Sequence, residues 1–333
     1  MRVLFIGGTG TISSAVSQLA IERGIELYLL NRGKSLRPVP EGAHVLHGDI
    51  RDVKAIAGVL AGHTFDAVVD WVAYTAEHVQ ADIDLLRGRT GQYIFISSAS
   101  VYQKPPASLP ITESTPLYNP YWQYSRDKIA GENLLVQTYR ASGFPMTIVR
   151  PSHTYDVTNI PVQGGYTVID RMRLGKKVVV PGDGTSLWAL THHKDFAKGF
   201  VGLLANPHAI GEAYHITSDE ILTWNQIYNQ LAAAAGVEAK MVHVASESLA
   251  KHYATYNPRW GDGLLGDRQH TLLFDNTKIK RAVPGFVATI PFAQGAKEMV
   301  DWYAADPARQ VVDPAVDALF DKIITTYESV LPG

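Results

Sequence analysis

Tyr124 and Lys128 stand four residues apart in Tyr124-Ser-Arg-Asp-Lys128, and on a helix that spacing puts both side chains on one face. A tyrosine hydroxyl titrates near ~10 in water, too high for a base at neutral pH. An ammonium held beside it favours the phenolate and lowers that value by roughly one to three units. Tyr124 is therefore a candidate general acid/base. Upstream, the apolar run Gln92-Tyr-Ile-Phe-Ile-Ser97 ends in the polar stretch Ser97-Ser-Ala-Ser100. A serine from that strand end can hold the substrate oxygen whose proton Tyr124 exchanges. The spacing alone is weak evidence; the placement after a strand ending in serines carries the expectation.

The elements that must position these residues begin at the N-terminus. Arg2-Val-Leu-Phe-Ile6 has the character of a buried parallel strand and leads into Gly7-Gly-Thr-Gly10-Thr-Ile-Ser13, then a helix with Ala15, Val16, Leu19 and Ala20. Strand, glycine turn and helix together form the context of a dinucleotide site. Gly7 permits the tight turn, Gly10 lets the backbone approach a pyrophosphate, and Thr11 and Ile12 open the helix over which it lies. The third small position is Ser13 rather than glycine. The next strand, Glu26 to Leu30, ends at Asn31-Arg32. A neutral residue followed by a planar cation suits a 2′-phosphate, so NADP is favoured over NAD as cofactor. After a third strand, Ala43 to Leu46, Asp49 and Ile50 are placed against the adenine, although Asp49 can equally cap the helix starting near Asp52. Asp66 to Trp71 is the fourth strand, followed by Val72 and Ala73, small enough for the backbone to pass close to the cofactor. Pro145 to Arg150 is the sixth, and the loop from Pro151 through His153 to Tyr155 then borders the nicotinamide.

Strands alternating with helices argue for an α/β fold, a doubly wound parallel sheet of the Rossmann type with ligand at the carboxyl ends of the strands. Beyond Tyr155 the alternation fades. Residues 1–160, with 186–218 returning to them, form the expected dinucleotide-binding domain. Residues 161–185 and 219–333 form a smaller, interwoven α/β substrate domain. Tyr121, Trp122, Tyr155, Trp188, Trp224 and Trp260 are candidate pocket walls, with core packing the commoner role for most of them.

Composition narrows the function classes. A net charge of −2 gives no global basic footprint for nucleic acid. The absence of cysteine excludes disulfides, a thiol nucleophile and thiolate metal ligands. Twelve histidines show no pair with metal-ligand spacing beside a carboxylate, so no metal is expected. Neither a signal peptide nor a membrane-spanning run is apparent, and a soluble cytoplasmic protein is the expectation.

With Gly7-Gly-Thr-Gly10, Gly48-Asp49, Ser97-Ser-Ala-Ser-Val-Tyr102, Tyr124-x-x-x-Lys128, Arg150-Pro151, Pro181-Gly-Asp-Gly184 and His193-x-Asp195 in this order, the chain resembles the extended short-chain dehydrogenase/reductases, the epimerase/dehydratase group. Asp70-Trp-Val-Ala-Tyr74 and Gly182-Asp-Gly-Thr-Ser-Leu-Trp188 look most like an atypical branch that includes the chloroplast stem-loop-binding proteins. The resemblance implies Ser98 as catalytic serine, Tyr124 as acid/base, and Lys128 as the group that lowers the tyrosine pKa and touches the nicotinamide ribose. It implies Ser100 as a companion hydroxyl on the substrate. Sugar-nucleotide epimerases usually carry Arg near the Trp188 position to hold a phosphate, which puts a UDP-sugar in doubt, although Arg259 or Arg268 can supply such a contact. The implied activity is hydride transfer between nicotinamide and a carbinol or carbonyl carbon of a sugar, sugar nucleotide or other small-molecule substrate. The alternatives are an RNA-binding protein on the same fold and an NADP(H)-sensing regulatory protein. A homodimer is also implied, with residues 121–140 supplying half of its interface.

Overall fold

Each early strand is a short apolar run, and a strand buried on both faces belongs inside a parallel sheet covered by helices. The computed structural model, which describes residues 1–329, has that arrangement. β1 (Arg2–Ile6), α1 (Thr11–Glu22), β2 (Glu26–Asn31), β3 (His44–His47), α2 (Val53–Val59), β4 (Ala67–Asp70), α3 (Ala76–Leu86), β5 (Tyr93–Ile96), α4 (Gln123–Ser142) and β6 (Met146–Pro151) alternate as predicted. The chain continues through β7 (His153–Tyr155), α5 (Tyr166–Arg173), β8 (Lys177–Pro181), β9 (Leu187–Trp188), β10 (Leu190–His192), α6 (His193–Val201) and β11 (Ala213–Ile216). β12 (Leu222–Thr223), α7 (Trp224–Ala234), β13 (Lys240–Val244), α8 (Ser246–Tyr256) and α9 (Pro258–Gly263) follow. The described chain closes with α10 (Thr277–Ala282), α11 (Phe292–Ala304) and α12 (Pro314–Glu328).

β11 returns to the sheet beside β6, so the strands run in the order β11-β6-β5-β4-β1-β2-β3, all parallel. This is a Rossmann-like α/β fold. β1 lies between β2 and β4, and where the strand order reverses a crevice opens at the carboxyl ends. One apolar cluster joins β1 and α1 to Phe196 and Phe200 of α6. Another packs Ile56, Val79, Ile83 and Leu135 against the opposite face. The second half of the chain has its own cluster around α5, α7, α11 and α12, where β8 pairs with β13 and the short strands β7 and β9 pair with β10 and β12. Among the described residues no helix is long and apolar enough to cross a membrane.

Between sheet and α4 lies a buried ion pair. Arg150, in β6, donates from Nη2 to Glu132 Oε2 at 2.6 Å and from Nε to Oε1 at 3.0 Å. Ser97 donates to the same Oε1 at 2.5 Å. The pair thus locks α4 to the ends of β5 and β6, the elements that carry Tyr124, Lys128 and the serines. Removing one partner strands the other charge in the interior. Glu132→Ala should therefore lower unfolding free energy by about 3–5 kcal/mol, read from urea midpoints, with Glu132→Gln losing clearly less.

Candidate active site

Beyond the carboxyl ends of β1 and β4 lies a cleft of about 790 Å³. Its floor is the glycine turn. Gly7 and Gly8 have φ of 98° and 106°, the left-handed region that penalises other residues. Ser13 does more than fit: its Oγ accepts from Gly10 N at 2.8 Å. Ser17 donates to Gly8 O at 2.9 Å. No side chain caps α1, so the positive end of the helix faces the cleft beside Gly10, Thr11 and Ile12. Arg37 straps this end: Nη2 lies 2.7 Å from Asp156 Oδ2 and donates to Thr158 Oγ1 at 2.5 Å and Thr11 Oγ1 at 3.3 Å.

Asn31, Arg32, Lys34 and Ser35 line one corner of the cleft. Arg32 Nη1 lies 3.6 Å from Asp49 Oδ2, both side chains well exposed. The Arg51 backbone N–H and the Arg32 cation hold the Asp49 carboxyl below its ordinary range. Asp52, not Asp49, caps α2, accepting from Ala55 N at 3.1 Å. Ile50 and Val72 also line the cleft, whereas Ala73 does not: it is buried, and its carbonyl faces Lys128. Sequence reasoning missed Arg51, which lines the cleft and donates to Val72 O at 2.7 Å. Only its place two residues beyond Asp49 marked it.

At the other end the cleft reaches Ser97, Tyr124, Lys128 and Pro151. Lys128 donates to Ala73 O at 2.6 Å and Ile96 O at 2.7 Å. Its ammonium lies 4.8 Å from the ring centre of Tyr74 and 5.7 Å from that of Tyr124. Burial pushes the ammonium down to about 8, against the pull of Asp70 and Glu132. The expected lowering of Tyr124 is reversed. Burial pushes its phenol up to about 12, outweighing the opposing Ser98 hydroxyl. The two side chains do share a face, but the ammonium is turned to backbone carbonyls rather than to the phenol oxygen.

The serines form a relay. Ser125 Oγ donates to Ser100 Oγ at 2.7 Å, and Ser100 Oγ lies 2.9 Å from Ser98 Oγ. With Ser125 donating, the Ser100 hydroxyl proton is free to go to Ser98, whose oxygen also accepts from Ser100 N at 3.2 Å. Ser98 is left as a donor. Ser100 is buried behind it and lines neither this cleft nor the second cavity described below.

A second cavity, of about 380 Å³, opens in the second half of the chain. His153 lines this cavity and not the larger cleft. Trp188 is 1% exposed and lines neither; its Nε1 donates to His153 Nδ1 at 3.2 Å, and its ring packs 5.2 Å from that of Trp224. Tyr155 is likewise a core residue, its ring edge-on to His192 and Phe292. Short strands with both faces covered leave those aromatics no route to solvent. Trp122 packs against Tyr124 at 4.9 Å, Tyr121 is exposed, and Trp260 lines the second cavity. Arg259 is exposed on α9 and reaches neither space, while Arg268 lines the cavity.

Asp70 and Asp82 are two further groups that sequence reasoning passed over. Asp70 Oδ1 accepts from Val72 N at 2.5 Å and Ala73 N at 2.8 Å, shaping the turn whose carbonyls hold Arg51 and Lys128. Asp82 accepts from Tyr93 Oη at 2.7 Å. The remaining oxygens, Asp70 Oδ2 and Asp82 Oδ1, are buried without a donor. The two carboxyls are in contact, and burial together with the Asp70 charge drives the Asp82 value far up. One proton between them satisfies both oxygens, so Asp82 is the neutral partner. Asp82→Asn, whose amide can donate to Asp70 and accept from Tyr93, should change stability by less than about 1 kcal/mol, against roughly 2–4 kcal/mol lost in Asp82→Ala. Chemical denaturation of both variants checks this, and equal losses would sink the shared proton.

Comparison with known proteins agrees with this architecture. The profile of the NAD dependent epimerase/dehydratase family matches residues 3–87 and 83–217. The chloroplast stem-loop binding protein of 41 kDa b of Arabidopsis thaliana is 29% identical over 99% of this chain and 85% of its own length. A dTDP-glucose 4,6-dehydratase of Streptomyces niveus is 27% identical over 91% of this chain and 93% of its own. Among solved structures, an epimerase of Methanothermobacter thermautotrophicus superposes with a TM-score of 0.75 over 93% of this chain and 94% of its own, at 16% identity, a likeness of fold. The family profile covers more than half of the chain, and the chain belongs to the NAD-dependent epimerase/dehydratase family.

Proposed function

We propose that this protein is an NADP(H)-dependent oxidoreductase acting at a carbinol or carbonyl carbon of a small polar substrate. The observation that carries the reading is that Tyr124 and Lys128 reach one end of the cleft together, with the Ser98 hydroxyl beside the Tyr124 phenol. The residues fit a dinucleotide. An uncapped α1 N-terminus suits the pyrophosphate, and Asn31 with the Arg32 and Lys34 cations suits a 2′-phosphate. When bound, the nicotinamide supplies or takes the hydride.

The chain's own residues handle the proton. Ser98 donates to the substrate oxygen, and Tyr124, a phenol at neutral pH, gives it a proton in the direction of reduction. Lys128 places positive charge beneath the site, where developing oxyanion character is stabilised. Loss of water would need a further acid here. The carboxylate whose charge reaches Tyr124 is Asp267, which pairs with Lys104 Nζ at 3.4 Å. That favours oxidation, reduction or epimerisation over dehydration.

Calorimetric titration with NADPH, NADP, NADH and NAD tests the cofactor. NADPH should bind at least about tenfold more tightly than NADH, and Arg32→Ala should remove most of that preference. Tighter NADH binding would refute the 2′-phosphate corner. If no dinucleotide binds, the enzyme reading fails, and RNA binding, supported by likeness to the stem-loop protein, takes its place; loss of stem-loop RNA affinity between 50 and 200 mM salt would mark it.

The proton chemistry is tested with sugars and small carbonyl compounds screened for turnover. Tyr124→Phe should reduce the rate by about 10²–10⁴. Because the phenol sits at about 12 and the Lys128 ammonium at about 8, alcohol oxidation should still be rising at pH 7, while carbonyl reduction should be level up to pH 7 and fall above about pH 8 as the Lys128 charge is lost. An oxidation rate already level at pH 7 would contradict the assignment.

A further inference from the structure

Lys128 is 2% exposed, and its ammonium donates to neutral carbonyls, Ala73 O and Ile96 O. Carbonyl dipoles solvate a charge without balancing it, and a buried charge without a partner is costly. On its own helix the carboxylate one turn away is Glu132, but that group is committed: Arg150 takes both oxygens, and Ser97 donates to one of them as well. Tyr74 and Tyr124 contribute rings. His78 accepts from Tyr74 N through Nδ1 at 3.1 Å, and burial together with the Arg51 charge pushes its pKa down, which keeps it neutral at pH 7.

Asp70 is the carboxylate that remains. Its Oδ1 accepts from Ala73 N at 2.8 Å, the residue whose carbonyl holds the ammonium. Its Oδ2 is buried, and among the described residues the groups that face it are the Asp82 carboxyl and, 3.9 Å away, Arg51 Nη2. Two carboxyls that share one proton carry one negative charge between them. With the proton on Asp82, that charge stands on Asp70. Arg51 is 31% exposed and lines the cleft, so water or a ligand can serve it. Lys128 has no such alternative. The pull of Asp70 on the ammonium opposes the effect of burial, and Arg51 works against it.

We propose that Asp70 is the counter-ion of Lys128, and that Asp82, by holding the proton of the pair, fixes that one negative charge beneath the Tyr124 end of the cleft. Asp70 acts through Lys128 and is a positioning residue. The inference rests on the reading that Lys128 serves the Tyr124 site as a cation. It gives the buried pair a part in the chemistry: the cation that stabilises an oxyanion is maintained from between the sheet and α3. Arg51 draws on the same carboxylate from the cleft side, so the two cations compete for one charge.

The experiment is an NMR titration of protein labelled with ¹⁵N-lysine and ¹³Cγ-aspartate, with neither cofactor nor substrate added. In the wild type Lys128 Nζ should titrate at about 8, while Asp82 stays protonated and Asp70 ionised from about pH 5 to 8. The reverse assignment, or two ionised carboxyls, overturns the proposal. Asp82→Asn leaves the carboxylate at 70, and Lys128 should keep its value within about half a unit. Adding Asp70→Asn removes the charge and should lower that value by at least about one unit. Arg51→Gln should raise it, and opposite signs from neighbouring substitutions are not what a loss of packing produces. Equal Lys128 values in the Asp82→Asn and double variants overturn the proposal as well. If the double variant does not fold, Asp70→Asn alone takes its place and the wild-type carboxyl assignment still decides. NADPH affinity is measured on the same proteins: its absence in the wild type defeats the oxidoreductase reading and leaves the counter-ion to the titration, whereas NADPH binding with a Lys128 value indifferent to Asp70 defeats the counter-ion alone.

Discussion

An ammonium inside a protein has to be surrounded by oxygen, and the burial of Lys128 imposes that demand on the centre of this fold. The oxygens come from the backbone just beyond β4 and from the end of β5, the carbonyls of Ala73 and Ile96. They converge only if the two strands are neighbours in the register observed and α4 lies flat across them. Asp70 bends the chain after β4 so that Ala73 presents its carbonyl. Glu132, one turn further along α4, grips Arg150 and so fixes the helix along its axis. The larger cleft and the placement of Tyr124 are consequences of this geometry.

Much of this was readable locally. A run such as Val3 to Ile6 before paired glycines needs no partner to declare itself a strand and turn, and the four-residue spacing of Tyr124 and Lys128 is a property of any helix. The sign of the Tyr124 pKa was not readable. It depends on how much water the rest of the fold removes and on where the ammonium turns. Ser98 and Ser100 look equivalent in sequence, yet a hydroxyl from the following helix decides which is buried and which donates. Tyr155 and Trp188 have the composition of a pocket wall but sit on short strands covered from both sides. Arg259 and Arg268 are nine residues apart in sequence, and the π-helical turn Leu264–Arg268 sends only the second inward. Asp70 and Asp82 give no sign that they will meet, because α3 must first be laid against the sheet.

The two cavities are lined on different physical terms. The cleft is built on turns, carbonyls and a helix end. The second cavity is side-chain-rich, with Arg268, His153, Gln163 and aromatic rings on its walls. Such a wall can change its chemistry by single substitutions while the strands beneath stay in place. Trp188 illustrates the point: it adds nothing to the cleft, yet it sets which nitrogen of its neighbour carries the proton.

The return of β11 to the sheet has a consequence for how the chain is made. β6 is buried at every position, from Met146 to Pro151, but one flank of its ladder is filled by residues 213–216. Some sixty residues must be synthesised between the two. Until they emerge, a nascent chain carries an apolar strand edge with unpaired backbone groups, the feature that templates intermolecular pairing. Non-local closure of this kind also slows folding. The return of β11 to the sheet thus leaves the molecule most vulnerable to aggregation late in synthesis, between the completion of β6 and the arrival of β11.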